Sequence, residues 1–231
     1  MRKLKRIADT VGDLIENADL ANNPGNQRRV NDQIAAYKDL LDGWASDTAL
    51  RMVEHANQQN IKYWRSLSAQ MSRGMRELIE SPAMAGTMDA LIQRQKELIT
   101  SIPEYAIDRT NKIVTEGKIA GKRADQLADE LQETTSVTRS KAVLIARTET
   151  QRTNAELTKA RAEGVGATHY IWRTAGDSDV RHGHKEMANK VFAYANPPAV
   201  NEGTVGKPKY YVHGPGEIWN CRCFAEPILP D

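Results

Sequence analysis

The sequence predicts an α+β protein: a mainly α-helical N-terminal region followed by a small α+β C-terminal module with a few short strands. Three observations carry this. Apolar residues recur at steps of three and four up to about residue 165. Gly164 and Gly166 then close the helical part. Beyond them, short runs of aromatic and β-branched residues alternate with segments rich in Gly, Pro and Asn.

The elements follow in order. Ile7 to Glu16 is amphipathic. Asn22-Asn-Pro-Gly25 reads as a break, and Ser81-Pro82 as another. Val30, Ile34, Tyr37, Leu41 and Trp44 form one apolar stripe; Ile61, Trp64, Leu67, Met71, Met75 and Leu78 form a second. Ser101-Ile-Pro-Glu104 has the pattern of a capping box with proline in the first turn, so a helix is predicted from about Ile102 to Thr115. A short helix is predicted over about Ala124 to Glu133 and a longer one over about Thr138 to Glu163. Thr168 to Thr174 reads as a strand, with further short strands at Val191 to Tyr194, Lys209 to Val212 and Cys223 to Ile228. Pro227 marks the end of the last one or a sheet edge. Asn196 to Pro208 reads as a loop. The helical stripes are the expected signature of core packing, while helices of this length also suit docking on a partner.

At 231 residues the chain suffices for one large domain or two small ones. A net charge of +2 gives no global drive towards nucleic acid. The basic start, Arg2, Lys3, Lys5 and Arg6, is the candidate DNA contact. It runs into an acid-containing amphipathic stretch, so a secretory signal is not expected, and no apolar run reaches the roughly 18 residues of a membrane span. The expected location is a cytoplasm, with no membrane partner. There is no Walker loop, no dinucleotide fingerprint and no His-Glu-x-x-His.

The chemistry-bearing residues gather late. Asp177, Arg181, His182 and His184 follow the first predicted strand, and His213, Cys221 and Cys223 come some tens of residues later. Two cysteines one residue apart close too small a ring for an ordinary disulfide. Thiolate and imidazole are the natural ligands of zinc, so His184, Cys221, Cys223 and His213 are the candidate ligands of a structural zinc ion. His182 or Asp177 is the alternative fourth ligand. Two other readings stand beside this one. The polar groups could be satisfied in a hydrogen-bond network around buried thiols. Alternatively, His182 or His184 could act as a base and Cys221 as a nucleophile. On the preceding helix, Arg147, Glu149 and Asn154 interrupt an apolar face; buried, they would brace the Asp177–Arg181 turn, and solvated they would be an ordinary helix face.

Leu144-Ile-Ala-Arg-Thr-Glu-Thr150, Asn154, Gly164-Val165, Trp172, Asp177-Ser-x-Val-Arg181-x-x-His184, Val191-Phe192, Pro215-Gly216 and Asn220-Cys-Arg-Cys223 occur in that order. The series resembles the Mu F-type head-morphogenesis family of tailed phages, the minor head proteins. The resemblance covers about residues 98 to 228, with Leu98-Ile-Thr-Ser-Ile-Pro103 as a lead-in. It implies a head-morphogenesis domain, 98–231, comprising helices 98–165 and the module 166–231; the helical region 1–97 before it carries no motif of the series, and its expected role is portal or capsid docking. Relatives often carry a basic residue where this chain has Asp179 and glycine where it has Asn189. The resemblance implies a non-enzymatic virion protein with portal protein and major capsid protein as partners, placed in the capsid interior near the portal, and contact with packaged double-stranded DNA. The alternatives are a DNA-binding packaging or ejection factor, or a metal-dependent nuclease using His184.

Overall fold

The computed structural model describes residues 2–67, 77, 83–204 and 206–230. Their order is α1 (Arg2–Glu16), a 3₁₀ turn (Pro24–Asn26), α2 (Gln27–Leu67), α3 (Ala83–Ala120), α4 (Ala124–Gly164), β1 (His169–Arg173), α5 (His182–Met187), β2 (Val191–Ala193), β3 (Ala199–Asn201), β4 (Tyr210–Val212) and β5 (Phe224–Ile228). The class is α+β. Met71, Met75 and Leu78 of the second stripe and the expected break at Ser81-Pro82 lie outside the described residues. Two compact units form, one from Met1–Ala49 with Gln93–Ala146 and the other from Leu50–Ile92 with Arg147–Asp231.

The first unit is helical. Val11, Ile15, Val30, Ile34, Ala106 and Leu131 build one buried cluster. Leu4, Ile7, Leu41, Ile99, Ile102 and Ala142 build a second. α1 packs closely because Gly12 has no side chain: a Cβ there would stand 2.3 Å from Thr135 Oγ1. α3 ends where Gly121 takes a positive φ of 64° and the Lys122 amide donates to Gly117 O at 2.9 Å.

Two expectations about helix ends are corrected here. No helix starts at Ser101; Pro103 lies inside α3. The Ser101 hydroxyl donates back to Leu98 O at 2.8 Å instead of capping a new helix. An internal proline costs a helix about 3 kcal/mol. Burial of Ile99, Ile102 and Ala106 around it offsets that loss. The second correction is that Ala124–Glu133 and Thr138–Glu163 are one helix. The intervening Thr134, Thr135 and Ser136 have modest helix propensity. Ser136 Oγ donates to Glu133 O at 2.9 Å, and Thr134 and Thr138 are buried.

In the second unit, Val53, Leu91 and Leu157 pack together. Beside them sits a buried polar group. Arg161, 2% exposed, donates to Asn60 Oδ1 at 2.5 Å and to Asn57 Oδ1. Asn60 Nδ2 in turn donates to Asn154 Oδ1 at 2.9 Å and Thr158 Oγ1 at 2.8 Å.

α4 ends as expected, with Gly166 at a φ of +82° and the Ala167 amide donating to Ala162 O at 2.8 Å. The chain then enters an antiparallel sheet of order β2-β1-β5. β1 alternates, turning Tyr170 and Trp172 inward. Pro227 pairs opposite Tyr170 on β5, an edge strand, where its missing N–H costs nothing. β3 and β4 form a separate two-stranded sheet. β3 falls within the predicted loop 196–208, which corrects that expectation. Three residues give no period to read, yet Val200 is fully buried and pairs with Tyr211. Asn189 adopts a φ of +63°, the left-handed conformation glycine would supply, and its amide donates to Trp172 O at 2.8 Å.

Tyr170 and Tyr194 bury their phenols in this core with ring centroids 4.9 Å apart, and among the described residues neither hydroxyl has a hydrogen-bond partner. Burial raises the pKa of both above the usual tyrosine value. A raised folded-state value means their contribution to stability is complete below about pH 10 and is lost as pH rises further. Tyr170→Phe is therefore expected to leave stability at neutral pH unchanged or raise it by about 1 kcal/mol. It should also shallow the alkaline decline. Thermal unfolding between pH 7 and 11 measures both effects.

Candidate functional site

The site is assembled from short elements. Arg181 caps α5 in an extended conformation, which places His184 one turn into that helix with its ring inward. His184 is 2% exposed. α5 can approach β3 only because residue 183 is glycine: a Cβ there would lie 2.1 Å from Asn201 O. Gly183→Ala is thus expected to lever α5 off β3 and destabilise by about 1–3 kcal/mol, read by chemical denaturation.

The two nitrogens of His184 face different groups. Nδ1 lies 3.3 Å from Cys223 Sγ and 3.5 Å from Cys221 Sγ. Nε2 lies 2.5 Å from Glu202 Oε1. That same oxygen lies 2.9 Å from His213 Nε2, and Arg181 donates to Glu202 Oε2 at 2.9 Å. Glu202, whose side chain is 1% exposed, is the hub. Asn201 turns the chain into it, accepting amide bonds from Gly203 at 3.0 Å and Lys209 at 2.9 Å. Trp172 forms one wall, its ring centroid 5.6 Å from His184 and 5.9 Å from His213.

Cys221 and Cys223 are free and buried. The amides of Gly216 and Cys223 donate to Cys221 Sγ at 3.3 and 3.4 Å. Gly216 holds a φ of +87°, and a Cβ there would meet Cys223 O at 3.1 Å. Asn220, also at positive φ, donates its amide to Thr148 Oγ1 at 3.2 Å.

The electrostatics follow from this packing. Burial pushes the Glu202 carboxyl up, but His184, Arg181 and His213 outweigh it and hold Glu202 below its usual value. Burial works against a charged His184, yet Cys221 and Glu202 raise its pKa overall. The hydrogen bond with Cys223, helped by His184 and opposed by burial, brings the Cys221 thiol down to about 4. Cys223 is pushed up by its bond to Cys221 and by burial.

Four residues singled out in sequence come together: Arg181, His184, Cys221 and Cys223. His213 is near, but it faces Glu202 through Nε2 and Gly214 O through Nδ1 at 2.8 Å, away from the thiols. Asp177 turns outward, accepting from the Asp179 amide at 3.1 Å and from Arg222 at 2.7 Å. Asp179 also faces Arg222 at 3.5 Å. His182 is exposed and faces Glu186 at 3.4 Å. Glu149 is buried, Asn154 belongs with Asn60 and Arg161, and Arg147 is an exposed side chain of α4. Arg2 opens α1, and its side chain lies outside the described part; Lys3 and Arg6 are exposed on α1, with Lys5 half-buried.

Glu202 is the residue that sequence reading missed. Its neighbours carry no motif. The sequence offered Asp177 as the acidic member of the constellation, but Asp177 faces Arg222 while Glu202 takes the inner position.

A family model described as Phage Mu protein F like protein matches residues 108–226. The chain belongs to this family. Arg181, His184, Glu202, Cys221 and Cys223 all fall within the Mu F-like segment. The chain is 33% identical to an uncharacterized protein of Haemophilus influenzae over 152 residues, which is 66% of this chain and 32% of that protein. It is 28% identical to the minor head protein GP7 of Bacillus phage SPP1 over 149 residues, 63% of this chain and 46% of that protein. The chain therefore spans less than half the length of either relative. It is related to a phage head protein. No solved structure matches it. Among the described residues no helix is long and apolar enough to cross a membrane.

Proposed function

We propose that this Mu F-like chain is a structural minor head protein of a tailed phage, acting in head morphogenesis with the portal protein and the major capsid protein, in the capsid interior near the portal. The observation that carries the reading is the family match over 108–226 together with the minor head protein among its relatives. The domain that acts in morphogenesis is 98–231, and the helical region 1–97 is the docking part. Burial of the site supports structure-holding over catalysis. Cys221, Cys223 and His184 are each 2–3% exposed, so a nucleophile or base at these positions has no open face towards a substrate.

Co-sedimentation with purified portal oligomers tests the reading, paired with mass spectrometry of purified virions. The expected result is co-sedimentation and presence in the particle. A chain absent from virions and indifferent to portal would overturn it. The DNA-binding alternative, through Arg2, Lys3, Lys5 and Arg6, is tested on the same preparation: affinity for duplex DNA falling steeply with salt would favour it.

A further inference from the structure

We propose that His184 Nδ1, Cys221 Sγ and Cys223 Sγ are the three protein ligands of a tetrahedral zinc ion, that Glu202 is the carboxylate orienting His184, and that His213 is not a ligand. The three donor atoms lie within 4.8 Å of one another, all on buried residues. Their spacing fits the metal. Zinc–sulfur bonds of about 2.3 Å and zinc–nitrogen bonds of about 2.0–2.1 Å at tetrahedral angles separate sulfur from nitrogen by about 3.5 Å. The two observed separations are 3.3 and 3.5 Å.

A second group, His184, Glu202 and His213, also lies within reach of a common point. Its distances exclude it. Ligands bound at about 2.0–2.1 Å and tetrahedral angles stand about 3.3 Å apart, whereas Glu202 Oε1 is 2.5 Å from His184 Nε2 and 2.9 Å from His213 Nε2. Those are hydrogen bonds, with no room for an ion between the partners. They are also what the thiol group needs. An imidazole donating Nε2–H to a carboxylate turns the lone pair of Nδ1 outward, and this carboxylate–histidine pairing is the usual support of a metal-bound histidine. Arg181 and His213 hold Glu202 in place for that bond.

Cys221 shows a further preparation for a thiolate. Two backbone amides, from Gly216 and Cys223, point at its sulfur. Two thiolates balance a divalent cation, and Arg181 balances Glu202. Soft sulfur with imidazole favours zinc over magnesium or calcium. Among the described residues no further His, Cys, Asp or Glu joins the trio. The ion would tie α5 to the segment entering β5, in a module whose strands are three to five residues long. Small sheets of that kind gain most from such a staple.

The test uses the full chain, expressed with zinc and purified without chelator. Elemental analysis is expected to give one zinc per chain, and cobalt(II) added to stripped protein to give sulfur-to-cobalt charge-transfer absorption. Removing zinc with a strong chelator should lower Tm, and zinc alone should restore it. Cys221→Ser, Cys223→Ser and His184→Ala should abolish stoichiometric binding, and His213→Gln should retain it. Glu202→Gln should retain it with roughly 10–100-fold weaker affinity. Traces of zinc only, without charge-transfer absorption on cobalt titration of wild type, would overturn the proposal; that readout stands even where a variant does not fold. Loss of binding in a folded His213→Gln protein would overturn the ligand set. The result is independent of head assembly: a zinc-free chain can still join the virion, and a zinc-bound one can be absent from it.

Discussion

Trp172→Ala is expected to destabilise the second unit by about 3–5 kcal/mol, the cost of deleting a large aromatic from a packed core. Trp172 is fully buried. It contacts Phe192 at 6.2 Å between centroids as well as both histidines of the site, so its removal opens a cavity that strands of three to five residues are poorly placed to close. Denaturant unfolding followed by circular dichroism measures the loss. Val212→Ala is the control. Val212 is 68% exposed on β4, and its truncation should change stability by no more than about 0.5 kcal/mol. Comparable losses in the two variants would mean that the module is not held by the core around Trp172.

The second large effect is expected at Glu202. Glu202→Ala leaves a guanidinium and two imidazoles facing an empty buried position. Breaking a buried charged network from one side costs about 3–5 kcal/mol. Glu202→Gln keeps the shape and an acceptor while removing the charge, so it should recover a substantial part of that loss. A double variant, Glu202→Ala with Arg181→Met, should be less destabilised than the sum of the single changes, because the second substitution removes a cation the first left unpaired. Strict additivity in the cycle would separate Arg181 from Glu202 energetically and undo the description of Glu202 as a hub.

The expectations that held have a common source. The stop at Gly164-Val-Gly166 holds because a left-handed residue after a helix is a local requirement of the backbone. β1, β2, β4 and β5 stand where aromatic and β-branched runs place them, since alternate burial needs only the strand's own residues. Asn189 takes its positive φ for the same local reason, asparagine being among the few residues that adopt that conformation.

The corrections share a different source. Ser101-Ile-Pro-Glu104 carries the local marks of a helix start, yet α3 runs through it because Ile99, Ile102 and Ala106 are buried on either side. β3 carries no pattern of its own and exists through pairing with β4 and contact with Gly183. Arg147 and Arg161 lie on the same helix and look alike in sequence. One is exposed and the other is fully enclosed by Asn57 and Asn60, residues about a hundred positions away.

The sequence by itself determined the α+β class and the family, because these rest on local backbone rules and on motifs in fixed order, and it singled out His184 and the two cysteines as candidates. Only the tertiary structure decided that His213 stands behind Glu202 and not beside the sulfurs, and that a glutamate in a turn is the buried centre of the arrangement. Burying a carboxylate is unfavourable until several donors converge on it. Those donors come from α5, its cap and the end of β4, and their convergence is a property of the folded chain.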